Sequence, residues 1–125
     1  MQASPTSWKR KPFKEGVTVP YQAAFDSEQF ARLREGLIPQ RMEDKWFIYY
    51  EEPHLFLHRN WTGAPFYRLT LNSVPGGVEV MEALWSQELA DTSTPTQAEY
   101  QARLLDFLLS NLLLGQSKPF PLPRV

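Results

Sequence analysis

Three turn signals set inside one aromatic-rich run constrain this chain more than any other feature. Residues 45–50, Lys-Trp-Phe-Ile-Tyr-Tyr, are followed by Glu51-Glu52-Pro53-His54. Residues 55–61 are followed by Thr62-Gly63, and residues 66–71 lead to Val74-Pro75-Gly76-Gly77. Aromatic and β-branched residues favour strands, and Pro and Gly at these places favour turns. The spacing predicts consecutive antiparallel hairpins. Residues 78–84 are the fourth strand, with a helix as the rival reading because Glu82-Ala83-Leu84 suits one.

Helices flank that sheet. Asp26 can cap a helix with Gln29 reaching back, and Phe25 and Phe30 stand where a hydrophobic staple needs them. Gly36 ends this helix by accepting a left-handed conformation, and Pro39 prevents its resumption. Further on, Thr94 caps, Pro95 suits the first helical position and Gln97 completes a capping box. Leucines at 104, 105, 108, 109, 112 and 113 give this second helix a broad apolar face, and Gly115 stops it. The expected fold is α+β: a four-stranded antiparallel meander with a short N-terminal and a long C-terminal helix on one face. Residues 1–20 form an irregular arm or a short edge strand near Val17, residues 21–115 one domain, and residues 116–125 an extended proline-rich tail.

Composition excludes several roles. A chain of 125 residues, 42% hydrophobic and 14% aromatic, can bury a core without staples. A net charge of -1 supplies no general field for nucleic acid. With no cysteine, disulfides, thiolate catalysis and thiolate metal sites are all absent, which suits a reducing cytoplasm. The basic residues at 9–11 are followed by no apolar segment, and no run approaches the roughly 20 residues that span a bilayer. The expectation is a cytoplasmic protein without a membrane anchor.

Tight turns fix a register in which Tyr50 faces Leu55, Ile48 faces Leu57, Trp46 faces Arg59, Arg59 faces Phe66 and Leu57 faces Arg68. Side chains alternate along a strand. One face then carries Phe47, Tyr49, Phe56, His58, Tyr67 and Leu69 and meets the helices. The other carries Trp46, Ile48, Tyr50, Leu55, Leu57, Arg59, Phe66 and Arg68. That second face is too apolar to stand open to water. Its cover is the chain's own arm or tail, a second subunit, a partner or a ligand. Arg59 over Trp46 would make a cation–π contact, and Trp, Tyr and Arg together resemble a binding hot spot.

Catalytic signals are missing. No nucleophile elbow, phosphate loop or dinucleotide fingerprint occurs. His54 and His58 lie about 13 Å apart on a strand, too far to share a metal. Glu43 and Asp44 stand at the opposite strand end from Glu51 and Glu52, so they form no acid–base pair. No cofactor is expected, and the sequence leans against an enzyme.

The run Met42-Glu43-Asp44-Lys45-Trp46, with Tyr50-Glu51 and Leu57-His58-Arg59-Asn60-Trp61-Thr62-Gly63, resembles the signature of a family of small bacterial proteins. Ser usually stands there where Asn60 stands here. The likeness spans residues 37–115 and includes the last helix, while Ala64-Pro65-Phe66 departs from a more aliphatic stretch. It implies no established activity, only gene neighbourhoods that process ADP-ribose or other nucleotides.

Two functions are therefore expected. The first is a non-catalytic accessory protein that recognises a protein partner, or its own copy, through the aromatic and arginine face. The alternative is a site for a nucleotide or other small ligand, with an enzyme as its extension. The candidate binding residues are Glu43, Asp44, Lys45, Trp46, Tyr50, Glu51, Arg59, Trp61, Thr62 and Arg68.

Overall fold

The computed structural model describes residues 2–8, 10–41, 43–60, 62–86 and 95–121. Its elements are β1 (Gly16–Thr18), β2 (Ala24–Asp26), α1 (Ser27–Glu35), β3 (Trp46–Glu51), β4 (His54–Arg59), β5 (Pro65–Val74), β6 (Gly77–Ser86) and α2 (Pro95–Leu108). A π-helical turn, Leu109–Leu113, continues α2.

Local signals produce local structure as the residues dictate. Asp26 Oδ1 accepts from Gln29 N at 2.7 Å, and Asp26 N donates to Gln29 Oε1 at 3.0 Å, closing the capping box of α1. Gly36 follows α1 with φ +70°, and a Cβ there would strike the Ile48 carbonyl oxygen. The Val74–Gly77 connection has φ +84° at Gly76, as a type II turn requires. Residues 78–84 are strand, inside the ten-residue β6. The Thr94 cap lies outside the described residues.

The expected four-stranded meander is overturned. The sheet is antiparallel with six strands in the order β1-β6-β5-β4-β3, and β2 also pairs with β6. The two additional strands have three residues each, too short to show an alternating pattern in sequence. They lie end to end along the outer edge of β6: Val17 opposite Trp85, and Phe25 opposite Val78. Of the two readings of the arm, the short edge strand near Val17 is present as β1.

The register of the first hairpin is as the tight turn dictates, with Trp46 opposite Arg59 and Tyr50 opposite Leu55. The second is shifted. Leu57 faces Tyr67 and Phe56 faces Arg68, with a bulge between Leu57 and His58. The connection spans residues 60–64 rather than a two-residue turn, closed by Arg59 N to Ala64 O at 2.9 Å and Gly63 N to Arg59 O at 3.0 Å. A one-residue shift exchanges the faces of every later residue.

The consequence is a core different from the expected one. Trp46, Ile48, Leu55 and Leu57 share a face with Tyr67, Leu69 and Leu71, and this face meets Leu33 of α1 and Leu105, Leu108 and Leu109 of the C-terminal helix. The Tyr67 hydroxyl, buried there, donates to the Gln101 side chain. The opposite face carries Phe47, Tyr49, Phe56 and His58 and is covered by the arm through Ala3 and Trp8. Ala3 N donates to Glu35 O at 2.8 Å, Trp8 Nε1 donates to Asn60 O at 3.2 Å, and Arg10 lies over the Tyr49 ring at 5.6 Å. Both apolar faces are covered by the chain's own segments. Among the described residues no helix is long and apolar enough to cross a membrane.

Candidate functional site

β4 presents Arg59 and His58, neighbours in sequence, to opposite faces of the sheet. Arg59 follows the helix face. Its guanidinium lies 5.1 Å from the centre of the Trp46 ring and 5.6 Å from that of Phe66. The two rings meet edge to face at 5.3 Å, so the cation rests on a fixed aromatic corner. Among the described residues no carboxylate lies within ion-pair distance of Arg59.

This corner lines an apolar groove of about 730 Å³. Leu37 and Ile38 form one wall. Leu104, Phe107, Leu108 and Leu112 of the C-terminal helix form the other, and Phe120 of the tail stands at the rim. Phe120 packs edge to face on Phe107 at 5.0 Å yet stays 57% exposed, and Leu112 is 39% exposed. The tail is held along the helix by Lys118, which pairs with Asp106 at 2.7 Å, and by two hydrogen bonds between Lys118 and Asn111.

Glu43, Asp44 and Lys45 form the polar rim. Asp44 Oδ2 accepts from Gln40 N at 2.8 Å and Arg41 N at 3.3 Å, so its carboxylate serves the loop. Asn60, buried, ties that loop to the hairpin end: its Nδ2 donates to Asp44 O at 2.6 Å and to Arg41 O at 3.3 Å, and its backbone N donates to Lys45 O. Leu37 and Ile48 exchange backbone hydrogen bonds at 2.9 and 3.0 Å, which fixes the other side of the loop against the β3 edge.

The structure therefore brings together Glu43, Asp44, Lys45, Trp46 and Arg59, and separates the other residues singled out from the sequence. Tyr50 packs edge to face on Phe30 at 5.5 Å, away from the groove, and burial raises its hydroxyl pKa. Glu51 is exposed at the far end of β3. Thr62 Oγ1 accepts from Ala64 N within its own turn. Arg68 falls on the arm face because of the bulge, where it pairs weakly with Glu82 at 3.8 Å and lies over Phe13. Trp61 lies outside the described residues.

Sequence reasoning missed the helix wall. Leucines at 104, 108 and 112 recur every four residues beside the buried stripe at 105, 109 and 113. The apolar face is wider than one contact needs, and that excess width was the available signal.

His58 is 1% exposed on the arm face, stacked on Tyr49 at 5.6 Å. Its Nδ1 donates to Gly63 O at 3.0 Å, an oxygen that also accepts from Lys11 N at 2.8 Å. The buried Nε2 has no hydrogen-bond partner among the described residues. Burial pushes the His58 pKa below its ordinary value, and Arg10 pushes the same way, while the bond to Gly63 opposes them. His54 is lowered too, by burial and then by Arg68. Among the described residues no group of three His, Cys, Asp or Glu side chains could hold a metal ion.

No family model, curated protein or solved structure matches this chain.

Proposed function

We propose that the protein binds a small amphipathic ligand in the groove between the C-terminal helix and the Trp46–Arg59 corner, without catalysing a reaction on it. One observation carries this reading. A guanidinium held on two aromatic rings stands at the end of an apolar groove, with no carboxylate partner among the described residues. Concave, mostly apolar sites with a few placed polar groups are the usual form of a ligand pocket, and the volume is within the common range of ~300–1,000 Å³. The arm and the helices lie on the two sheet faces, which favours the groove over an open sheet face as the binding surface.

Thermal melting tests the reading. Fatty carboxylates, aryl carboxylates and nucleotides form the panel, with ADP-ribose included because of the resemblance to the small bacterial family. A ligand at 100 times its dissociation constant should add about 2.7 kcal/mol of stability. Leu112→Trp, which fills the groove from its exposed side, should abolish the shift. A shift that survives this variant unchanged would place the ligand elsewhere and defeat the reading.

A further inference from the structure

We propose that the groove takes a free, single-chain aliphatic carboxylate, with its carboxylate on Arg59 and its chain along Leu104, Leu108 and Leu112. This rests on the ligand-binding reading above and names the chemical class for it.

Shape and wall chemistry select the chain. Five of the lining residues are aliphatic, Leu37, Ile38, Leu104, Leu108 and Leu112, with Phe107 set among the helix leucines. The rings at the cationic end are already engaged. Trp46 stacks with Tyr67 at 6.3 Å, meets the edge of Phe66 and carries Arg59. A nucleobase needs a free ring face to stack on, and this corner offers none. An alkyl chain needs only apolar contact.

Charge selects the head group. Arg59 and Lys45 at the groove are balanced by Glu43 and Asp44. A diphosphate or triphosphate would bring several negative charges to a rim whose formal charge sums to zero. A single carboxylate matches the groove's guanidinium, Arg59, which has no carboxylate partner among the described residues. Its planar fork of N–H groups suits a carboxylate through two parallel hydrogen bonds. Phe120, exposed at the rim, is placed to cover the chain once it lies in the groove.

Titration calorimetry of the full chain tests this, with each lipid below its micelle concentration. Octanoate, decanoate and dodecanoate should bind with affinity rising about fourfold per added methylene. Dodecanol should bind about tenfold more weakly than dodecanoate, the worth of a charge-assisted hydrogen bond. Arg59→Gln should bring dodecanoate down to the level of dodecanol and leave dodecanol unchanged. Equal binding of acid and alcohol would overturn the proposal. So would an unchanged dodecanoate affinity in Arg59→Gln, no dependence on chain length, or binding only to fatty-acid vesicles.

The two levels of the reading fail differently. Binding of ADP-ribose, lost in both Arg59→Gln and Leu112→Trp while dodecanoate does not bind, would overturn the fatty carboxylate and leave the groove standing. No effect of Leu112→Trp on any ligand would overturn both. Unchanged melting midpoints of the two variants without ligand establish that they fold.

Discussion

His58 and Arg59 are adjacent on β4, and the two faces of the sheet treat them in opposite ways. On the arm face His58 is sealed among Phe47, Tyr49 and Phe56, with one nitrogen bonded to a backbone carbonyl and the other bonded to nothing described. On the helix face Arg59 is half-buried on two rings and opens onto a groove. Both sites combine aromatic rings with a cationic or ionisable group. Only one leaves room beside it. Aromatic density near a charged group thus has two meanings, a packed core and a receptive site, and the covering segment decides between them.

Breaking the sealed face should cost the most. Tyr49→Ala removes a ring that is 2% exposed and touches Phe47, Phe56 and His58, and should destabilise the fold by about 3–5 kcal/mol. Denaturant unfolding measures this. Ligand affinity of the molecules that remain folded should be unchanged, because the groove lies on the other face.

Asn60 links the two regions. Trp8 of the arm bonds to its backbone oxygen, and its side chain holds the groove loop. Asn60→Ala leaves the carbonyls of Asp44 and Arg41 without that donor and should cost about 1–3 kcal/mol. It should also weaken ligand binding, since the rim at residues 43–45 loses its tether. Loss of stability with unchanged binding would show the rim to be held by other contacts.

Acid separates the faces further. The folded state disfavours protonated His58, so the unfolded chain takes up the proton first as pH falls below ~6.5. Stability is then lost with falling pH, by at most about 1.4 kcal/mol per pH unit, until the folded pKa is reached. His54 acts in the same direction, so the informative quantity is the difference between wild type and His58→Phe from pH 8 to 5. The variant should show the shallower slope, and parallel slopes would show that His58 is not held neutral.

Arg59→Ala should have the smallest effect on stability, at most about 1 kcal/mol, because a partly exposed cation–π contact contributes no more. Its effect on carboxylate binding should be a loss of about tenfold, the worth of the charge-assisted hydrogen bond. That contrast distinguishes a receptive residue from a structural one.

The sequence disclosed what is local. The Asp26–Gln29 capping box, Gly36, the Gly76 turn and the pairing of Trp46 with Arg59 all depend on a few neighbouring residues. What it concealed depends on one slip or on distance. The bulge at Leu57/His58 moved Tyr67 and Leu69 to the face of Trp46 and parted Arg59 from Arg68. β1 matches the short edge strand that the sequence offered near Val17, while β2 takes its identity from the edge of β6, not from any pattern of its own. Half the candidate site was legible, residues 43–46 and Arg59, since they flank one hairpin. The helix wall and Phe120 were not, because the wide apolar face of the helix says that it has a further contact but not that the contact is the groove beside Trp46 and Arg59.

The most direct test is a nitrogen-15 NMR titration of the full chain with decanoate, following the Trp46 indole and Arg59 side-chain N–H signals. With the carboxylate on Arg59, both signals should shift saturably, together with backbone shifts at Leu104, Leu108 and Leu112, while the amides of Ala3 and Lys11 on the arm stay still. Shifts centred on the arm face, or none at the Arg59 guanidinium with the site saturated, would contradict it.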